Sequence, residues 1–336
     1  MGKPTGFPDA VYYEPKALAF PLGKQLKRTY AELPWIEIEN HNNIPEMRKS
    51  PNSAFPKLKR HLIIGVRKTH KYVPNHKVSD YLVPYTSSGC SAMCLYCYLV
   101  CHYNKCAYLR LFVNREDMLD RLIRHSDKAD SPMTYEIGSN SDLVLENTVT
   151  GNLPWTIERF AQDGRGFITF PTKFSLVEPL LPLHHCGKTV FRMSLNPEEI
   201  IRKTEFGTAP LVSRIKALNE MCKSGYPVGI IIAPVILLPD WKNIYGRFLE
   251  LLSDELSNDV KESSFIEIIL MTYSYVQNAI NTDAFPNAVT LYNREHMTGR
   301  GKGKYRYREP VRSEAEVFLR DKLSKTLGCM EILYVV

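Results

Sequence analysis

The stretch Thr86-Ser-Ser-Gly89-Cys90-Ser-Ala-Met-Cys94-Leu-Tyr96-Cys97-Tyr98 decides how the rest of the chain is read. Three thiolates on one short loop can hold three irons of a [4Fe–4S] cluster and leave the fourth iron an open position. The loop follows a β-rich run, Asp80–Thr86. In a parallel βα architecture chemistry collects in the loops at the C-terminal strand ends, and these cysteines fall at such an end.

Downstream of this loop, β-rich runs alternate with helical patterns. The runs are Thr134–Ser139, Gly166–Thr172, Thr189–Leu195, Val228–Ala233 and Phe265–Thr272. Between them, Asn114 can cap a helix whose apolar positions are Met118, Leu119, Leu122 and Ile123. Leu211, Ile215, Leu218 and Cys222 mark a second at 3.6-residue spacing, stopped by Gly225, and Trp241 to Leu256 forms a third. Strand and helix alternating in this way predict an α/β fold with a parallel sheet. Periodicity leaves open whether that sheet curls into a barrel.

Two flanking segments differ from this middle part, 78–275. Residues 1–77 are richer in proline and carry a basic cluster that includes Lys57, Lys59, Arg60, Arg67 and Lys68. They read as an N-terminal extension. In the C-terminal segment, 276–336, Ser313 and Glu316 predict a capping box, opening a helix that buries Val317, Leu319 and Leu323. The last run, Cys329–Val336, predicts a strand. Before that helix, residues 300–308 read Arg-Gly-Lys-Gly-Lys-Tyr-Arg-Tyr-Arg. If extended, they place Arg300, Lys302, Lys304, Arg306 and Arg308 on one face, with the glycines, Tyr305 and Tyr307 on the other. That pattern matches a phosphate backbone plus a stacking surface; the alternative is a solvated edge strand guarded by charge.

Composition narrows the class. The 336 residues are 44% apolar, and Lys+Arg exceed Asp+Glu by 43 to 36, for a formal charge of +7. No run of about 18 apolar residues predicts a membrane span. The chain shows no apolar secretory segment, and its eight unevenly spread cysteines do not resemble a disulfide framework. A reducing cytoplasm suits both free thiols and an oxygen-sensitive cluster. Zinc sites usually use two close cysteine pairs, and no second C-x2-C pair exists here. Cys101 and Cys106 could still close a zinc or iron–sulfur site.

The C-x3-C-x2-C spacing, with an aromatic residue before the last cysteine, is the signature of the radical SAM superfamily. In that chemistry S-adenosylmethionine chelates the open iron. Over about 78–336 the chain resembles the spore photoproduct lyase family. The resemblance rests on the cysteine loop through Leu99, on Ser141-Asp142, Thr172-Lys173-Phe174, Gly187–Ser194, Gly207-Thr-Ala-Pro-Leu211, Gly225–Gly229 with Ala233-Pro234, and Gly303–Tyr307. It implies a partial (β/α)6 barrel of the radical SAM kind with the cluster at its top. Ser141, Lys173 and Ser194 are then expected around S-adenosylmethionine, and Tyr96 and Tyr98 in a hydrogen relay. The substrate implied is a thymine dimer, the spore photoproduct, in damaged DNA. An electron donor such as flavodoxin or ferredoxin, and a spore-core location in a spore former, are also implied.

The family reaction ends with a cysteine thiol returning a hydrogen to a thymine radical. The family pattern after the second strand runs Glu, two small residues, Cys, Thr, Ser, Asp. This chain reads Glu136-Ile-Gly-Ser139-Asn140-Ser141-Asp142, so the donor position is Ser139. An alcohol O–H is much stronger than a thiol S–H. A run rich in glutamine, histidine and arginine is expected after Glu267, where the chain has Ile-Ile-Leu-Met-Thr-Tyr. Cys101 or Cys106 could be a relocated donor. Two other readings compete: a divergent paralogue that keeps radical generation but changes substrate or product, and a nucleic-acid-binding protein with a structural metal site.

Overall fold

A computed structural model describes residues 7–102 and 108–336, without the side chains of residues 101 and 102. Its largest sheet has eight strands, in the order Glu331–Val335, Phe265–Leu270, Val228–Val235, Thr189–Leu195, Phe167–Thr172, Thr134–Glu136, Tyr81–Leu82 and Val73–Pro74. All neighbours are parallel except the last pair. Both faces of the central strands are covered, so even their polar residues are buried. Phe191, Met193 and Leu195 alternate with Arg192 and Ser194, and all five are buried. The sheet curls. Lys77, just past one edge strand, lies 5.0 Å from the ring of Tyr334 on the opposite edge strand. The partial barrel expected from the family resemblance is therefore what forms, with the C-terminal strand as a seventh parallel member.

A second sheet, ordered Trp35–Glu37, Ala10–Tyr13, His61–Gly65, Arg110–Phe112 and Ser87–Ser88, is built mainly from the N-terminal segment. It explains why Asp80–Thr86 is not one strand. Only Tyr81–Leu82 pairs in the large sheet, after which the chain crosses over and Ser87–Ser88 pairs antiparallel with Arg110–Phe112. The cysteine loop thus leaves from the seam between the two sheets.

Helices cover the outer face of the barrel. Leu211–Lys223 and Trp241–Glu255 match their predicted spans closely. Asn114 does precede a helix, Arg115–Asp127, but its side chain does not cap it. Its amide instead accepts from the Arg67 N–H at 2.9 Å and donates to the Arg67 carbonyl at 3.0 Å, tying the helix start to the second sheet. The capping box is also corrected. Pro310 suits the first turn, so the last helix starts earlier and runs Glu309–Thr326, with Ser313 inside it. Glu316 pairs with Arg320 at 2.8 Å. Ala315, Leu319 and Leu323 form the buried stripe at i, i+4 spacing, and Val317 faces outward at 68% exposure.

Of the strand or hairpin expected for the basic stretch, the hairpin forms. Met297–Gly301 and Lys304–Tyr307 pair antiparallel, and Lys304–Tyr307 also pairs with Thr272–Ser274. Gly301, Lys302 and Gly303 all have positive φ, +87°, +50° and +69°, which reverses the chain there.

Candidate active site

The cysteine loop is held by very little regular structure. Met93–Cys94 pairs antiparallel with Glu205–Phe206, with Cys94 opposite Glu205, and the Leu95 N–H donates to the Thr204 carbonyl at 2.8 Å. Asn281 adds a side-chain bond to the Leu95 carbonyl at 2.7 Å. The loop is therefore pinned both to the barrel wall and to the helix Tyr275–Ala284.

Above the C-terminal strand ends lies a cavity of about 500 Å³. Its walls bring together all three cysteines, both tyrosines, Ser139, Ser141, Lys173 and Ser194. The thiols are free. Burial pushes the Cys90 thiol up to about 12, and pushes Cys94 further above the usual thiol range. Metal must therefore displace the protons of neutral thiols. Among the described residues no three Cys, His, Asp or Glu side chains converge on a point that one ion could fill. Three free thiols lining one cavity are the donor set of a four-iron cluster with one iron left open. Cys106 and the side chain of Cys101 lie outside the described residues.

Lys173 is the centre of the cofactor wall. Its ammonium donates to Ser194 Oγ at 2.7 Å, the Ala233 carbonyl at 2.9 Å and Glu205 Oε1 at 3.1 Å. Those three bonds use its full donor capacity. Glu205 is fully buried, as is Arg214, which donates to its other oxygen at 2.6 Å. Burial alone would raise the Glu205 carboxyl. The charges of Lys173 and Arg214, with hydrogen bonds from Tyr96 and Arg214, hold it down at about 2. Of Lys173, Glu205 and Arg214 only Lys173 lines the cavity, so its ammonium is the charge that a carboxylate bound against this wall would meet.

The supporting turn is equally fixed. Asp142 caps the helix Leu143–Thr150 by accepting from the Leu145 N–H at 3.1 Å. The same carboxylate accepts from the Thr172 hydroxyl at 2.8 Å and the Lys173 N–H at 2.9 Å. It thereby fixes Ser141 and Lys173 relative to each other. The Ser87 hydroxyl bridges Ser141 Oγ at 2.8 Å and the buried Glu146 at 2.5 Å.

A family model described as spore photoproduct lyase matches residues 7–336. The chain belongs to the spore photoproduct lyase family. It is thus a radical SAM DNA-repair enzyme, of a family that uses S-adenosylmethionine and a [4Fe–4S] cluster. The spore photoproduct lyase of Bacillus subtilis is 33% identical over 311 residues, 90% of each chain. That of Clostridium acetobutylicum is 30% identical, covering 97% of this chain and 98% of its own. Among solved structures, a spore photoproduct lyase complexed with dinucleoside spore photoproduct superimposes with a TM-score of 0.89 at 26% identity, covering 98% of this chain and 99% of that one. A variant with bound AdoMet and dinucleoside spore photoproduct gives 0.90 at 26%, covering 99% and 100%.

Seen as a spore photoproduct lyase, the two tyrosines part company. The Tyr96 hydroxyl donates to the buried Glu205, and burial holds its phenol well above the ordinary tyrosine range. Its ring lies 5.5 Å from the Lys173 ammonium. Tyr98 is 51% exposed, and its hydroxyl donates to the backbone carbonyl of Ser139. A second charged layer, deeper in the barrel, joins Arg192 to Glu136 at 2.5 Å and to Glu267 at 3.0 Å, with the Tyr334 hydroxyl donating to Glu267. The sixth-strand residues Ile269, Leu270 and Thr272 complete the wall there.

Arg300, Lys302, Lys304 and Arg306 are all exposed on the hairpin and do not line the cavity. Tyr307 is buried and accepts from the Leu237 N–H at 2.9 Å. Tyr305 is half-buried, 4.7 Å from the ring of Tyr292. The tyrosine face of the hairpin therefore belongs largely to the core. Glu205 and Arg214 escaped the sequence reading. The available signal was an acid two positions before the Gly207 motif. Among the described residues no helix is long and apolar enough to cross a membrane.

Proposed function

We propose that this chain reverts the spore photoproduct in DNA with Cys90, Cys94 and Cys97 as cluster ligands and Ser141, Lys173 and Ser194 as the S-adenosylmethionine contacts. A bound, reduced cluster supplies one electron that cleaves S-adenosylmethionine to a 5′-deoxyadenosyl radical. The observation that supports the reading best is the shared cavity of about 500 Å³, lined by three free thiols and by the Lys173 ammonium that Ser194 and Glu205 hold in place. A damaged step is easier to extrude than an intact one, and the cationic hairpin Arg300–Arg306 would hold the flanking phosphates. The electron would come from a flavodoxin or ferredoxin, in the spore core if the source forms spores.

Ser139 favours a specific variation on this chemistry. The serine O–H is too strong to quench an allylic radical, whereas a phenol O–H is far weaker, and Tyr98 stands against residue 139. In this reading the Tyr98 O–H bond breaks homolytically and a C–H bond forms on the thymine methylene. The phenoxyl left on Tyr98 returns to the phenol by taking one electron from the external reductant and one proton, so 5′-deoxyadenosine leaves as a product. The Ser139 hydroxyl takes no part. A second reading is also supported by Ser139: a member that makes the radical but releases an altered thymine product.

The test is anaerobic reconstitution with iron and sulfide, followed by dithionite, S-adenosylmethionine and a spore-photoproduct dinucleotide. Release of 5′-deoxyadenosine with two restored thymines is expected. Release of 5′-deoxyadenosine with an adduct instead selects the second reading. No 5′-deoxyadenosine, from protein with a full iron complement, overturns both. Cys94→Ala should abolish the cluster absorbance and all 5′-deoxyadenosine release.

A further inference from the structure

Below Ser194 the cavity has a charged floor for which radical generation supplies no task. Arg192, two residues earlier on the same strand, faces the same side, and Glu136, Glu267 and Tyr334 line the cavity with it. The Arg192 guanidinium donates from Nε to Thr169 Oγ1 at 2.9 Å, and from Nη1 to the two Glu267 oxygens at 3.0 and 3.2 Å. Its Nη2 donates to Glu136 Oε2 at 2.5 Å. Both Glu267 oxygens are therefore taken, and one of them also receives the Tyr334 hydroxyl. Glu136 differs. It is only 9% exposed, and its Oε2 is held by Arg192, but its Oε1 has no hydrogen-bond partner among the described residues.

A nearly buried carboxylate oxygen on a cavity wall is the place for a donor from a ligand. The substrate of this reaction carries such a donor in each ring. A thymine presents an imide N–H between two carbonyls on its Watson–Crick edge. Enzymes that extrude a base read that edge by hydrogen bonds and pack its faces against aromatic or apolar side chains, and Ile269 and Leu270 line the same cavity. A cytosine has a bare ring nitrogen at that place, and its lone pair would meet the carboxylate lone pairs. One hydrogen bond, by its direction, can tell the two pyrimidines apart.

We propose that Glu136 is a specificity-determining residue of the spore photoproduct reaction, accepting the imide N–H of one of the two thymines at Oε1. The proposal rests on the lesion entering this cavity, which Ile269→Trp tests separately. In that variant, with a native circular dichroism spectrum, dinucleotide binding should be lost; wild-type affinity would overturn the cavity reading and the proposal with it. Anaerobic equilibrium binding to the reconstituted protein is then measured for the spore-photoproduct dinucleotide and its two mono-N3-methyl derivatives. One derivative should bind the wild type about tenfold more weakly, the loss of one hydrogen bond to a charged acceptor. In Glu136→Gln the side-chain carbonyl can still accept from Arg192, which offers only donors, and Glu267 still pairs with Arg192, so the fold should hold. The unmodified dinucleotide should bind this variant about tenfold more weakly, and most of the methylation penalty should vanish. Affinity for S-adenosylmethionine should not change. Equal binding of all three dinucleotides to the wild type overturns the proposal whatever the variant does. A methylation penalty as large in Glu136→Gln as in the wild type overturns it too, because that penalty would be steric. A loss of S-adenosylmethionine affinity in Glu136→Gln would give Oε1 to a donor of the cofactor and overturn it as well.

Discussion

The two walls of the cavity are built on different principles. Around Lys173 nearly every polar atom has a fixed partner, and those partners hold one another: Glu205 receives Lys173, Arg214 and Tyr96 together. The second part of the lining, Ser139 on one flank of that network and Ile269 and Leu270 on the other, lies outside it. The first wall agrees with the family pattern at Ser141, Lys173 and Ser194. The second carries both departures from it. A residue embedded in a buried ionic network cannot change without stranding its partners. An apolar or lightly bonded wall residue can change at little expense to the fold, so the reaction's outcome varies where the fold tolerates it.

The strongest way to break this contrast is Glu205→Gln. Removing the carboxylate leaves Arg214, which has no exposed side-chain surface, beside Lys173 without a counter-ion. Stranding a buried charge costs about 3–5 kcal/mol, read as a lowered denaturant midpoint. The pH dependence follows from the depressed carboxyl. Its folded value of about 2 lies below the unfolded 4.5. Its contribution is complete above the unfolded value and disappears as pH falls from about 5 towards 2. Glu205→Gln should flatten that limb of the stability profile. A variant as stable as the wild type, with the limb intact, would remove the network from the explanation.

An intermediate effect is expected on the other wall. Ser139→Cys restores a weak S–H bond beside Tyr98 and leaves in place the backbone carbonyl that accepts from the Tyr98 hydroxyl. Thymine yield per 5′-deoxyadenosine should rise about tenfold, equivalent to about 1.4 kcal/mol in the barrier of the quenching step, with stability unchanged. Tyr98→Phe in the serine background should remove residual repair while 5′-deoxyadenosine release continues. Unaltered yields in both variants would exclude residue 139 and Tyr98 from the final hydrogen transfer.

What could be read from the residues divides along similar lines. Thr189–Leu195 is bounded correctly because Val190, Phe191, Met193 and Leu195 mark a buried strand even with Arg192 and Ser194 among them, and the helix Leu211–Lys223 because its apolar stripe is regular. The cysteine loop announced itself by spacing. Glu205 did not, since it reaches the site through a two-residue strand pair that has no periodicity to detect. Ser313 and Glu316 matched a capping box, but Pro310 offers a better start a few residues earlier, and Val317 then turns outward. Gly301-Lys-Gly303, two residues free to take positive φ around a third, allows a hairpin where the alternation of charge allows a continuous strand, and the turn decides between them.

That hairpin supplies the smallest expected effect and separates binding from chemistry. Lys304 and Arg306 are exposed on Lys304–Tyr307, whose other face packs Tyr307 into the core. Truncating them therefore removes charge without disturbing the fold. Each phosphate contact on duplex DNA contributes about 0.9 to the slope of log affinity against log salt. The Lys304→Ala/Arg306→Ala double variant should reduce that slope by about 2 if both cations touch phosphate. The loss of affinity should be the same for damaged and undamaged duplexes, because phosphate contacts carry no sequence or lesion information. Turnover of a dinucleotide, which is too short to reach the hairpin's flanking phosphates, should stay at the wild-type rate. An unchanged salt slope would assign the hairpin to the solvated edge reading, its charges guarding the strand against pairing with another chain. A slope change with equal loss on the dinucleotide would instead place the hairpin at the lesion itself.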